Sequence, residues 1–320
     1  MNKNISRILK LFVFLFLIVL IDQVAGIFLQ KLFFTQNAGQ NSALTYVFRD
    51  CNADILIFGN SRARHHYDSR LLADSLEMSC YNAGQDGGHS ILMQYALIKV
   101  VTERYSPKII ILEFNPDNVT YTAGNYDRLS VLLPYYKEYT ELRHIIYLRS
   151  PFEKIKLLSA IYPFNSNIVN IIRFNTNTYA ARKKDIEGFV PIKSQELNVE
   201  LTTKGFELKN DLEIESQSVV DSNLVNALKN IISLCKDKNI LLFIVSSPIF
   251  HGINEKQNPP SLSANTALEI IHKNNVNYID LSFDSTITGH TEWFYDRGHL
   301  NDIGATIFTN KLAGILKNCK

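Results

Sequence analysis

Five short, largely apolar runs, separated by stretches of helical spacing, constrain this chain more than any other feature. They are 53–59, 80–83, 108–114, 240–245 and 276–281. Short runs without polar alternation suit strands buried on both faces of a parallel sheet. Helices are expected over about 69–77, 89–104, 219–237, 262–274 and 302–317, with Asp68 and Asn301 as caps. Strands alternating with helices imply an α/β fold, a flavodoxin-like three-layer α/β/α sandwich around a parallel sheet. Such sheets bind ligands beyond the carboxyl ends of their strands. Functional residues are therefore expected just after 59, 84, 114, 246 and 281. At 320 residues and 46% apolar content the chain can bury a core of that size.

A second apolar feature stands apart from the sheet pattern. Leu11 to Ile21 is unbroken, and after Asp22 and Gln23 the run resumes from Val24 to Leu29. As a helix this stretch spans about 28 Å at ~1.5 Å per residue, enough to cross a bilayer. Asp22 opposes insertion by about 2.5–3.5 kcal/mol, but the Leu, Ile, Phe and Val around it, at about 0.3–0.6 kcal/mol each, outweigh it. Val24-Ala25-Gly26 is followed directly by Ile27, Phe28 and Leu29, a poor cleavage site. A retained anchor is expected rather than a cleaved signal. Lys3, Arg7 and Lys10 precede the span, which puts the N-terminus in the cytoplasm and the rest of the chain outside.

The expected organisation is a cytoplasmic tip and anchor over 1–30, a linker over 31–49 and one α/β domain over 50–320. That domain is interrupted by a mostly helical insertion over about 120–215, which should overhang the strand ends. Tyr121, Tyr126, Tyr135, Tyr136, Tyr139 and Tyr147 within it could stack on sugar rings. The formal charge is +2, concentrated in the first 31 residues, so nucleic acid is not an expected partner. Cys51, Cys80, Cys235 and Cys319 show no metal spacing, and the histidines form no HExxH pattern. No metal or cofactor is expected. Cys235 and Cys319 fall near the ends of two expected helices and could pair.

Gly59-Asn60-Ser61-Arg62 stands just past the first strand. A serine there presents its hydroxyl at the carboxyl edge of the sheet, with its own N–H opening the next helical turn. Nucleophile and oxyanion donor can thus share one residue. Asp296-Arg297-Gly298-His299 stands just before the last helix. An Asp three residues before a His can sit behind the imidazole, fix its tautomer and leave the other nitrogen as a base. Arg62 could hold an anionic substrate, the active-site loop or a structural partner; His65 and His66 suit packing or surface roles.

With these blocks the chain resembles the SGNH (GDSL-like) hydrolase superfamily, in which Gly-Asp-Ser or Gly-Asn-Ser follows the first strand and Asp-x-x-His precedes the last helix. Tyr81-Asn82-Ala83-Gly84 resembles the second block, whose glycine N–H joins the oxyanion hole. The third block departs: where the family shows Gly-x-Asn-Asp, this chain has Glu113-Phe114-Asn115-Pro116-Asp117-Asn118. The resemblance implies a triad of Ser61, Asp296 and His299, and an oxyanion hole from Ser61, Gly84 and Asn115. Arg62 and Asn118 are candidates for substrate binding, Asn118 also being the second choice of oxyanion donor.

The expected activity is serine-dependent hydrolysis of O-acyl groups, O-acetyl foremost, on an envelope or surface glycan. O-acyl transfer in polysaccharide modification, with a membrane-bound acyltransferase as partner, is the alternative within the same chemistry. A non-catalytic, membrane-tethered binding or assembly protein of the same fold is the alternative outside it.

Overall fold

The computed structural model describes residues 3–87, 90–176, 187–194, 219–251 and 259–319. In chain order its helices and strands are α1 (Lys3–Phe34), α2 (Gly39–Arg49), β1 (Ile55–Phe58), α3 (Ser61–His66), α4 (Ser69–Leu76), β2 (Cys80–Asn82), α5 (Ile91–Arg104) and β3 (Ile109–Glu113). The short helices α6 (Ala123–Asp127), α7 (Arg143–Ile146), α8 (Glu153–Lys156) and α9 (Ile168–Thr176) follow. The chain continues through α10 (Ser222–Asp237), β4 (Leu241–Ser246), α11 (Leu262–Lys273), β5 (Asn277–Asp280), α12 (Ser285–Thr288) and α13 (Asp302–Asn318). It divides into two compact units, Met1–Thr45 with Leu129–Lys183, and Tyr46–Arg128 with Lys184–Lys320.

The larger unit is the α/β sandwich. Its five strands are all parallel, in the order β2-β1-β3-β4-β5. Side chains alternate across a strand. Ile55, Ile57, Ile109 and Ile111 share one core with Leu72 of α4 and Phe308 and Leu312 of α13. Leu56, Phe58, Ile110 and Leu112, fully buried, point to the opposite face, where α5 packs on α10. Asp68 caps α4 by accepting the Arg70 and Leu71 N–H groups, and Asn301 caps α13 by accepting that of Gly304. Both caps stand where the sequence placed them. The chain leaves β1 toward one neighbour and β3 toward the other, so the switch point lies between these two strands, the usual crevice for a ligand.

Cys235 and Cys319 do not pair. All four cysteines are free thiols, Cys235 buried and Cys319 exposed. Cys235 belongs to α10, which packs with α5, whereas Cys319 ends α13, which packs with α3 and α4.

In the smaller unit, α1 is long and apolar enough to cross a membrane. Residues 31–49, expected as a linker, carry the end of α1 and the whole of α2. The C-terminal third of α1 is packed: Phe33 is buried, edge-on to Tyr135 at 5.5 Å and beside Phe164 at 5.8 Å. Tyr135, offered above as a sugar-stacking residue, is fully buried and shares a 2.7 Å hydrogen bond with Thr45. It is a core residue. Tyr136 and Tyr147 are hydrogen-bonded to each other at 2.9 Å. The insertion is divided: 129–176 falls in the smaller unit, while 120–128 and 187–194 belong to the larger. Its remainder, 177–186 and 195–215, lies outside the described residues, as do Gly88 and His89.

Candidate active site

β1 is entirely buried and stops at Gly59, whose φ of +152° favours glycine. A Cβ there would also lie 2.7 Å from the Cβ atoms of both Ala63 and Glu113. The side chain of Asn60 then accepts the Arg62 N–H at 3.0 Å and starts α3. Ser61 is the first residue of that helix, where an N–H has no intrahelical acceptor. Its Oγ lies 2.8 Å from Nε2 of His299. Nδ1 of His299 lies 2.9 and 3.0 Å from the two oxygens of Asp296. A carboxylate only accepts, so Nδ1 carries the proton and Nε2 is left to accept from Ser61. Asp296 is held in turn by the Gly298 and His299 N–H groups, each at 2.8 Å. The His299 side chain is 27% exposed, so one side of the pair remains open.

The loop carrying His299 is pinned by neighbours. An antiparallel bridge joins Phe294 to Leu300, and the Phe250 N–H donates to the Arg297 carbonyl at 2.9 Å. The Leu300 N–H donates to Nε2 of His66 at 3.0 Å, and Nδ1 of His66 faces the Ser247 hydroxyl at 2.9 Å. Since Nε2 accepts, Nδ1 is the protonated nitrogen of a neutral ring. Burial, reinforced by the positive neighbour Arg62, holds the proton affinity of His66 well below the usual histidine value. His66 is therefore a core residue, not a surface one.

Behind this contact lies a second polar centre. Glu113 ends β3, fully inaccessible to solvent, and forms a 3.0 Å ion pair with Arg62. It also accepts the Ser247 N–H at 3.1 Å and the Tyr67 hydroxyl. Burial, and next the charge of Glu113, push the Tyr67 hydroxyl well above its ordinary range, so it stays protonated and donates. Arg62, offered as a substrate-binding residue, is buried and committed to Glu113. One chain of contacts thus runs from Arg62, beside Ser61, through Glu113, Ser247 and His66 to Leu300, beside His299.

Gly84 also departs from its expected role. It packs against α3 so closely that a Cβ would sit 2.5 Å from the Arg64 nitrogen. Its N–H, expected in the oxyanion hole, donates to Asn82 Oδ1 at 2.9 Å. Asn82 is fixed there because its amide donates to the carbonyls of Ala63 at 2.7 Å and Tyr67 at 2.9 Å. Glycine at 84 is required for close packing.

Asn115 follows β3 at the level where Ser61 follows β1, since Phe58 is in register with Leu112. Its Oδ1 accepts the Asp117 N–H at 3.0 Å, which fixes the amide while its NH2 group keeps its donors. Asn118 uses its N–H on the Asn115 carbonyl at 2.8 Å. On the other flank, His65 is held by Asp86 at 2.9 Å and by the Val190 carbonyl at 2.7 Å.

Glu113, Asn82 and Ser247 had no assigned role in the sequence reading, and His66 only a packing or surface one. A charged residue closing the apolar strand Ile109–Glu113 was the one visible signal, because a buried carboxylate demands a cation and donors.

The fold and site together define a doubly wound α/β protein carrying a Ser-His-Asp arrangement at its switch point. No protein-family model matches the chain, and no curated protein matches it. Among solved structures, an acetyl xylan esterase is similar with 12% identity and a TM-score of 0.39, over 83% of this chain and 98% of that one.

Proposed function

We propose that the larger unit is a serine-dependent acyl-transfer enzyme of the SGNH type, with Ser61 as nucleophile, His299 as base and Asp296 as its orienting carboxylate. The observation that carries this reading is the 2.8 Å contact from Ser61 Oγ to the unprotonated nitrogen of His299, with Asp296 behind it. On attack the Ser61 proton passes to Nε2, and Asp296 stabilises the imidazolium that results. The Ser61 N–H and the Asn115 amide NH2 serve the developing oxyanion. His299 returns its proton to the leaving alcohol, and water or an acceptor hydroxyl then resolves the acyl-enzyme.

The substrate we infer is an O-acyl, foremost O-acetyl, group on an envelope glycan, because an anchored enzyme with its site outside the cytoplasm meets such esters. That topology rests on Lys3, Arg7 and Lys10 preceding the span. Hydrolysis and transfer share the acyl-enzyme. The full-length protein in detergent should hydrolyse a small aryl acetate and be labelled by a fluorophosphonate at Ser61, and Ser61→Ala should abolish both. Equal activity in the two proteins overturns the assignment. One observation favours a second reading, a binding protein of the same fold: the Gly84 N–H is already occupied. Absence of labelling in the folded wild-type protein would decide for it.

A further inference from the structure

The smaller unit raises a separate question, posed by Asp22. Its carboxylate lies within the apolar run of α1, where a charge needs partners. The partners come from the segment after α8: the Ser159 hydroxyl at 2.6 Å, the Ala160 N–H at 2.7 Å and the Ile161 N–H at 3.4 Å. Beside it, the Gln23 amide donates to the Leu158 carbonyl at 3.4 Å. One turn further along, a Cβ on Gly26 would lie 2.4 Å from that of Ala160, so the two backbones touch. These contacts fix where residues 158–160 stand along α1. Leu29, which ends the apolar run, lies seven residues beyond Asp22. Residues 158–160 therefore reach about 10 Å back along the span at ~1.5 Å per residue.

Much of the exposed surface between 152 and 172 is apolar, interrupted by Lys154, Lys156, Asn165, Ser166 and Asn170. Phe152 is 64% exposed, Ile155 65%, Leu158 76%, Val169 76% and Ile172 59%, large side chains that water does not favour. Val24, Ile27 and Phe28 on α1, either side of Gly26 in the span, are exposed as well. The backbone N–H groups also meet the condition that hydrocarbon imposes on an irregular segment. From Ile155 to Phe164 every N–H has an acceptor: Phe152 O for 155 and 156, Glu153 O for 157, Ile155 O for 158, Lys156 O for 159, Asp22 for 160 and 161, the Ser159 hydroxyl for 162 and Ile161 O for 164. Residue 163 is proline and has none to satisfy.

We propose that Phe152, Ile155, Leu158, Val169 and Ile172 form a second, lipid-facing membrane contact, entering the outer leaflet beside α1 to the depth of Asp22. The inference rests on α1 being a membrane span. An insertion of about 10 Å matches the depth to which interfacial elements bury their apolar faces. Lys154 and Lys156, both exposed, flank Ile155 and have stems long enough to carry their ammonium groups to the phosphate level. Asp22 thereby acquires a purpose that explains its place in the span: it is the acceptor that holds this segment against α1.

Depth measurement on the full-length protein tests the proposal. Cys319 is replaced by Ser, since the other three thiols are buried. Single cysteines are then introduced as Leu158→Cys, Phe16→Cys in mid-span and Glu269→Cys on an exposed helix of the larger unit. Each carries an environment-sensitive fluorophore, and each protein is reconstituted in phosphatidylethanolamine/phosphatidylglycerol vesicles with or without bromine on the acyl chains. We expect blue-shifted, bromine-quenched emission at 158 and at 16, and neither at 269. Quenching at 16 with aqueous emission at 158 overturns the proposal and leaves the span intact. Aqueous emission at both overturns the span and the proposal with it. A label at 158 that is shielded in native membranes but aqueous in these protein-free bilayers assigns the face to a protein partner, which also overturns it.

Discussion

The imidazole of His66 accepts the Leu300 N–H at 3.0 Å, one residue past His299. His66 ends α3, the helix that Ser61 begins, so one short helix holds both sides of the Ser61–His299 contact. Removing the acceptor frees the loop that aims His299. A displacement near 1 Å can cost about 100-fold. His66→Ala should therefore lower kcat on an aryl ester by roughly 10- to 100-fold with little change in KM. His66→Gln, which keeps an acceptor and a donor, should recover much of it. Equal losses in both variants would reduce His66 to a packing residue.

His66 also sets a pH dependence of stability. Its folded-state proton affinity lies well below the ordinary value of 6.5, which the unfolded chain retains. As pH falls below about 6.5 the unfolded state takes up a proton that the folded state refuses, so stability falls. Above that pH both states are neutral and the contribution is complete. Thermal unfolding of the detergent-solubilised protein between pH 7.5 and 5 should show Tm falling toward acid, with a shallower slope for His66→Gln. Parallel slopes would exclude His66 as the source.

Arg62 and Glu113 make a testable pair. Breaking a buried ion pair by removing one partner costs about 3–5 kcal/mol, because the other charge is left uncompensated. Arg62→Met should destabilise the protein by that order, and adding Glu113→Gln should restore part of the loss. If Arg62→Met leaves Tm unchanged and instead raises KM for an anionic ester, Arg62 serves the substrate after all.

Asn115 and Gly84 should respond differently to alanine. Asn115→Ala deletes the proposed oxyanion donor and should cost about 10² to 10³ in kcat, with a loss of stability no larger than the roughly 0.5–2 kcal/mol of a lost cap at Asp117. Gly84→Ala keeps the N–H but drives a methyl group to 2.5 Å from the Arg64 nitrogen, so α3 must move and both Tm and activity should drop. Comparing Tm and kcat for the two variants separates donor from spacer.

Much of this architecture could be read in advance because it is local. Asp68 and Asn301 cap their helices within three residues, and the apolar runs that became β1 to β4 are buried whatever lies beside them. Ser61 was legible because it opens α3 just past β1, and Asp296 and His299 because they stand three residues apart in the turn before α13. What failed was long-range partnership. Nothing near Arg62 in sequence announces Glu113, since the contact depends on β1 and β3 being neighbours. The Gly84 N–H looked free because Asn82 reads as a strand residue, while its side chain turns back on the same turn. Asp22 counted as a cost to the anchor for the same reason: apart from the adjacent Gln23 amide, its donors Ser159, Ala160 and Ile161 lie more than a hundred residues away.

Ser61 and His299 are 238 residues apart in the chain. A polypeptide made and exported N-terminus first presents its serine early, when the sheet is only begun and the base does not yet exist outside the ribosome. Until residue 299 has emerged and α13 has docked, that hydroxyl is an ordinary alcohol, no more reactive than any other serine in the chain. In the proposed chemistry, reactivity is thus withheld by the order of synthesis itself. The nascent chain can pass lipids and ester-bearing polymers without attacking them, and competence arrives only with completed folding.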